Sequence, residues 1–346
     1  MFSKYSFYFI LLSVLPIGLF AQSGGNNTFE FLNLVGPART ASLGGNSIAT
    51  YGDDVTLAIQ NPSVLNPSMT KQLSISYVGY VADIKFGDVM YAQDVANVGT
   101  FSANLHFINY GDFDLTNENS EVLGTFKASE YALGLSWSKA LDSNLRIGTT
   151  LKGILSDLGE NSSNGVAADV ALIYHKPEKF FTATILVKNI GRQLKKYDGG
   201  VQEDLPFEIQ AGLSKKLDKA PFRFSIIGQQ LQTWDITFKD PNNTGIDPLT
   251  GEVKDDRITF ADKAIRHVIL NLEVLFSQNF NLRFGYNFLR RSELKLAEKK
   301  GLSGITAGLG FKINKFHFSY ARSMFVPFAG SNHFTITTSL SDYVKK

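Results

Sequence analysis

Five histidines are the first residues to test for chemistry: His106, His175, His267, His317 and His333. A helical metal site sets two of them a turn apart, as in H-E-x-x-H. No such pair occurs, and each reads as a strand residue at an interface or facing a wet interior. Cysteine is absent, which excludes disulfides, thiol catalysis and thiolate metal sites. There is no G-x-S-x-G elbow for a serine nucleophile. Gly301, Gly304, Gly308 and Gly310 lack the Lys-Ser/Thr ending of a phosphate loop, and read as glycines relieving a crowded strand. In the segment 240–252, Asp240, Asn242 and Gly245 match the first, third and sixth positions of a calcium loop. Gly251 stands where the bidentate acid belongs, and Glu252 comes one residue late. With Asp247 and Pro248, that segment reads as a turn-rich surface loop. The expectation is a chain with no catalytic residue, metal or cofactor, and so not an enzyme.

Charge narrows the partners. Thirty-four basic residues face 32 acidic ones in 346, a net charge of +2, so nothing draws the whole chain to nucleic acid. The charge is segregated locally. Residues 112–130 carry Asp112, Asp114, Glu118, Glu121 and Glu130 against Lys127. Residues 290–300 carry Arg290, Arg291, Lys295, Lys299 and Lys300 against Glu293 and Glu298. A basic loop of this kind suits lipopolysaccharide phosphates or an acidic partner.

The elements that position these groups are strands. In 279–291, Phe280, Leu282, Phe284, Tyr286 and Phe288 alternate with Asn281, Arg283, Gly285 and Asn287. A period of two sends the two sets to opposite faces. In a soluble sheet the apolar set faces a core. In a membrane barrel it faces lipid and the polar set faces a wet lumen. The pattern recurs, predicting fourteen strands near 71–80, 86–95, 99–110, 128–139, 144–156, 165–175, 180–190, 206–217, 222–234, 264–276, 280–290, 303–313, 316–324 and 332–341. Short connections alternate with longer ones at 111–127, 157–164, 191–205, 235–263, 291–302 and 325–331, apart from a short first connection at 81–85. An even strand number with tight turns at one end is the asymmetry of an outer-membrane barrel. Strands of roughly ten to thirteen residues also suit a tilted span better than a globular sheet.

The N-terminus supports export. Residues 1–21 read as a cleavable signal, with Lys4 before an apolar run and Ala21 at the cut. Residues 22–67 form a polar leader and an irregular segment, with a strand expected near 45–51 and a short helix near 54–60. Asn61-Pro62 and Asn66-Pro67 mark turns. This segment reads as a plug or cap to the barrel of residues 68–346.

The irregular segment FEFLNLVGPARTASLGGNSIATYGDDVTLAIQNPSVLNPSM resembles the opening of the PorQ family of the type IX secretion system. FINYGDF, SEYALGLSWSK, LPFEIQAGLSKKL, APFRFSI and SNHFTITTSLSDY extend the resemblance over the mature chain. The related PorV and FadL-like barrels share a shorter motif. Here it is Gly44-Gly45, then Asp53-Asp54, then Asn61-Pro62, with Ser63 where Ala is common. The resemblance implies a fourteen-stranded FadL-like outer-membrane barrel in an attachment complex at the cell surface. It implies a PorZ-like protein as the anchored partner and, through it, a PorU-like sortase and a PorV-like barrel. It brings no catalytic residues. The alternative it leaves open is a FadL-like channel for hydrophobic small molecules. If strand one runs outward, the long connections lie at the surface. Trp234, Asp240, Asp247, Glu252, Arg290, Arg291 and Lys295 are then the expected docking residues.

Overall fold

The structure, a computed structural model, describes residues 27–80, 84–117, 119–159, 161–237, 258–294, 302–326 and 329–343. The expected signal peptide and the leader up to residue 26 lie outside the described residues, while Thr28 at the leader's end donates its amide to Asp204 O at 2.9 Å. Fourteen strands follow one another: β1 (Gln72–Gly79), β2 (Lys85–Val95), β3 (Gly99–Thr116), β4 (Val122–Ala140), β5 (Leu145–Leu158), β6 (Asn161–Lys176) and β7 (Phe181–Lys195). The second half holds β8 (Glu208–Lys216), β9 (Phe222–Gly228), β10 (Val268–Val274), β11 (Phe280–Asn287), β12 (Ile305–Ile313), β13 (Phe316–Val326) and β14 (Ala329–Ser339). Each pairs antiparallel with its chain neighbour, and β1 closes on β14 from Gln72 opposite Ser339 to Gly79 opposite Asn332. Closure leaves no open sheet edge, so the paired strand amides of the ring are satisfied without water.

Side-chain direction separates the two senses of the alternation. On β4, Tyr131, Leu133 and Leu135 point outward and are 44%, 54% and 58% exposed, while Ala132, Gly134 and Ser136, which alternate with them, are buried. On β11 the aromatic Phe280 and Phe284 are exposed, and Arg283, Gly285 and Asn287 turn inward. Leu151, Ile185, Phe224, Ile226, Phe334 and Ile336 continue the apolar belt round the ring. In water such a belt is an aggregation surface. Against hydrocarbon it is what a spanning barrel requires, so the apolar face is the lipid face.

All fourteen expected strands are present, with different ends. The connections expected at 111–127, 157–164 and 325–331 are largely strand: β3 runs to Thr116, β4 starts at Val122, and β5 and β6 nearly meet across 159–160. Pairing between neighbours persists through those polar stretches, as with Asp112 opposite Lys127. Strands of 14 to 19 residues at β3–β7 exceed the nine to eleven or so that a bilayer needs, and their ends stand clear of it. On the opposite side of the ring the wall is short. β9 ends at Gly228 rather than near 234, and β10 begins at Val268 rather than near 264. Helix α2 (Phe260–Arg266) fills the space before β10, and α3 (Phe288–Glu293) follows β11. Thr259 caps α2 reciprocally with Asp262, and the Asn287 side chain accepts from Arg290 N at the start of α3.

Candidate functional site

The irregular segment lies inside the barrel. Its first helix, α1 (Ala38–Ser42), comes from a stretch not expected to be helical. The strand expected at 45–51 is absent, replaced by turns. The short helix expected near 54–60 forms as a 3-10 turn, Val55–Ile59, with the Asp54 carboxylate accepting from Thr56 N at 3.0 Å. Asn61 and Asn66 each cap a further 3-10 turn, Pro62–Val64 and Pro67–Met69. Proline at the first helical position sacrifices no hydrogen bond there, which is why Asn-Pro works twice. Ser63, the departure from the usual alanine, donates its hydroxyl to Asn61 Oδ1 at 2.6 Å.

The double glycine has a steric reason. Gly44 and Gly45 hold φ of 67° and 84°, the left-handed region that favours glycine. There the backbone passes against β11. A Cβ on Gly285 would sit 1.9 Å from the Gly44 amide nitrogen. Neither chain has room for a side chain at that crossing.

From α1 onward the plug is hydrogen-bonded to one strand after another. Ala38 N donates to Thr335 Oγ1 on β14, and Thr306 on β12 donates to the Ser42 carbonyl. Asn287 on β11 and Asn271 on β10 bond the Gly44 and Asn46 carbonyls. Ser214 on β8 reaches Ala49 O, and Asn61 reaches Thr184 on β7. Arg146 on β5 bonds Leu65 O at 2.6 Å. Each satisfies a backbone or amide group that water would otherwise have to reach. Apolar contacts run alongside. Phe29 and Phe31 pack on Val78, Phe86 and Ile108. Val55, Leu57, Leu65 and Met69 pack on Met90 and Ile173.

One ionic cluster ties plug to wall. Arg39 of α1 donates to Glu273 Oε1 on β10 through Nη2 at 2.9 Å and Nε at 3.1 Å. Its Nη1 lies 3.2 Å from Asp54 Oδ2. Glu273, 2% exposed, also accepts from Arg223 on β9 at 2.6 Å and lies 3.7 Å from Arg283 on β11. Burial works against the charge of Arg39, but Glu273 and Asp54 outweigh it and raise its pKa. Burial likewise raises the Asp54 carboxyl, but Arg39 and the Thr56 hydrogen bonds leave it below the usual carboxylate range. Asp54 of the shared motif thus works twice, as helix cap and as counter-ion. Asp53 beside it is exposed and contributes its carbonyl, bonded by Gln72 at 2.8 Å. Arg39 and Glu273 were not singled out from the sequence. A lone acid among the polar residues of a lumen-facing strand was the available signal.

A family model described as type IX secretion system protein PorV matches residues 25–219, from before the plug to just past β8. The chain belongs to the PorV family. No curated protein sequence matches it. Among solved structures, the Ralstonia pickettii toluene transporter TbuX aligns with a TM-score of 0.50 at 9% identity, over 89% of this chain and 98% of that one. The P. putida toluene transporter TodX aligns with 0.50 at 11% identity, over 88% and 96%. A Pseudomonas aeruginosa FadL homologue also matches, with a TM-score of 0.49 at 9% identity, over 88% and 98%. At these identities the likeness is one of fold alone: a closed antiparallel β-barrel.

In this PorV-family barrel the long connections share one end, opposite the tight turns. Tight turns face the periplasm in such barrels, so the long connections lie at the cell surface. Trp234 is there, half exposed, its ring 4.8 Å from the exposed Phe260 and 5.9 Å from His267. His267 Nδ1 lies 2.8 Å from the Gln229 carbonyl and Nε2 3.2 Å from that of Trp234, so either tautomer finds an acceptor there. Arg291 reaches Ser303 at 3.2 Å. Arg290 turns inward instead: a Cβ on Gly45 of the plug would lie 2.9 Å from its Nη2. Asp240, Asp247, Glu252 and Lys295 lie outside the described residues. The histidines are dispersed. His106 pairs with Asp88 at 2.7 Å, His333 bonds Ser331 and His175 bonds Thr182. Among the described residues no cluster of His and acidic side chains is set to hold a metal ion.

Proposed function

We propose that this PorV-family barrel is a PorQ-like, non-enzymatic scaffold of the type IX attachment complex. It holds a PorZ-like protein at the cell surface and, through it, a PorU-like sortase and a PorV-like barrel. The observation that carries the reading is the plug. A lumen crossed by a segment bonded to strand after strand is a stiff platform, and loops on a rigid scaffold are where binding concentrates. The docking surface is assigned to the β9–β10 connection beside Trp234, with Asp240, Asp247 and Glu252. The β11–β12 connection contributes Arg290, Arg291 and Lys295, where Arg290 steadies the loop from the plug side. The basic side chains of 291–300 also suit lipopolysaccharide phosphates.

The test is co-purification from native outer membranes after residues 240–252 and 295–300 are each replaced by a short Gly/Ser turn. The partner is lost while the barrel still assembles. A partner that stays bound with both loops replaced refutes the assignment. The second reading is a channel for hydrophobic small molecules. The transporters named in the structural matches favour it, and it predicts saturable uptake of toluene or a fatty acid by proteoliposomes. The scaffold reading predicts none.

A further inference from the structure

At the tight-turn end the plug stops short of the mouth and leaves a cavity of about 690 Å³. That is the size range of small-molecule sites. Arg39, Arg223 and Arg283 form its inner wall, and Lys216, Lys312 and Lys315 stand nearer the turns. The acids in the same cavity are Asp53, Asp54 and Asp342, with Glu273 behind them. Two of these four are already engaged: Asp54 by Arg39, and Glu273 by all three arginines. Six cations against four acids leave an excess of positive charge among the described residues.

The cations nearer the turns are spare. Lys216 and Lys312 have no carboxylate within ion-pair distance among the described residues. Lys216 sits 5.4 Å over the Phe180 ring. Lys315 bonds the Asp342 carbonyl rather than its carboxylate, and lies 4.3 Å over Tyr343. Deeper in, the Arg283 side chain is 5% exposed, and its Nε has no hydrogen-bond partner. The 3.7 Å to Glu273 is too long for one. Beside it, Asn281 leaves its buried side-chain oxygen unbonded. An arginine fork with lysines around it is the donor set for phosphate oxygens. The remaining lining mixes polar side chains such as Gln278, Asn279 and Thr337 with Leu275, Phe311 and Phe318.

We propose that this mouth binds a hydrophilic, multiply charged phosphate compound, with Arg283 and Arg223 at its inner end and Lys312 and Lys216 at its outer end. The ligand reaches it from the periplasm, either as a free phosphate compound or as the headgroup of an inner-leaflet phospholipid. The site is independent of what the outer face holds.

The test uses the full chain purified in a non-ionic detergent and titrated calorimetrically with pyrophosphate at low salt. Saturable binding of one equivalent is expected. Lys216→Gln with Lys312→Gln weakens it at least about tenfold, while the unheated and boiled forms still migrate differently on a gel. Lys127→Gln, at the opposite end of the barrel, leaves binding unchanged. Competition by short-chain phosphatidylglycerol identifies a lipid headgroup as the source, and its failure identifies a free phosphate compound. No saturation at millimolar pyrophosphate overturns the proposal. So does equal affinity in the lysine double variant.

Discussion

Glu273→Gln is the sharpest probe of how the plug is held. The substitution keeps the shape and removes the charge. Two of the contacts of Glu273, to Arg223 and Arg283, are within the wall and persist whether or not the plug is seated. Only the contact to Arg39, at 2.9 and 3.1 Å, joins plug to wall. Arg39 keeps Asp54 at 3.2 Å, so it is not stranded, but half of its counter-charge is gone. A hydrogen bond to a charged group contributes about 1.5–3 kcal/mol, and breaking a buried pair costs about 3–5. The plug therefore loses about 3 kcal/mol, roughly a hundredfold in its opening equilibrium. Hydrogen–deuterium exchange of the detergent-solubilised protein measures this directly. Amides in 38–45 and 54–60 exchange about a hundredfold faster, while those of β4 and β5 do not change. In an Arg39→Gln background the same substitution costs far less, because the shared contact is already absent. Exchange within threefold of the parent protein, or full additivity of the two variants, would refute the view that this pair fastens the plug.

Other outcomes follow from the same geometry. Gly285→Val puts a side chain into the plug backbone, costs about 1–3 kcal/mol, and loosens 40–46 while the barrel still resists unfolding in unheated sample buffer. The whole chain fractionates with outer membranes and migrates faster unheated than boiled; soluble periplasmic recovery with no such shift contradicts the closed barrel. The Asp54 carboxyl is lowered in the folded state. Its contribution is therefore complete above the unfolded value near 3.9, and is lost as pH falls through the lower folded one. Plug protection holds down to about pH 4, drops below it, and loses that step in Asp54→Asn. Gln at each of His106, His175, His267, His317 and His333 leaves cargo secretion near normal wherever the barrel assembles; one variant that assembles yet abolishes secretion contradicts the non-enzymatic reading.

Strand number and face were legible because both rest on local alternation. Tyr131/Leu133/Leu135 and Phe280/Phe284 carry the pattern residue by residue, and an even count of long strands is compatible with the observed closure of β1 on β14. Strand ends were less legible. β3 continues to Thr116 and β4 starts at Val122, with Phe113 opposite Phe126 and Asp112 opposite Lys127, a short alternation outweighed in the sequence by its acids and turn-forming residues. Helix α2 did leave a sign, Thr259 three residues before Asp262, but the apolar residues at 264–276 suggested an earlier strand start. The path of the plug was not legible. Its backbone turns are satisfied by Thr335, Thr306, Asn271 and Ser214, up to 297 residues away, and nothing local announces such partners. The Asn-Pro and Asp54 caps were readable because both halves of each bond lie within a few residues.

The order in which the plug meets the wall has a consequence for assembly. Reading from Ala38 to Leu65, its partners run from β14 through β12, β11, β10, β8 and β7 to β5, the reverse of the order of synthesis. Phe29 and Phe31 meet side chains of β1–β3, but the α1 stretch waits for the last strand before Ala38 N finds its partner Thr335. Contacts of such long sequence separation form late. Until they do, the strand sheet can curl and close round water, since its outward face needs only lipid. Closure of β1 on β14 uses strand–strand pairs alone, whereas α1 needs β14 in place before Ala38 N reaches Thr335. A chain damaged only in the plug still enters the membrane, as a wet pore.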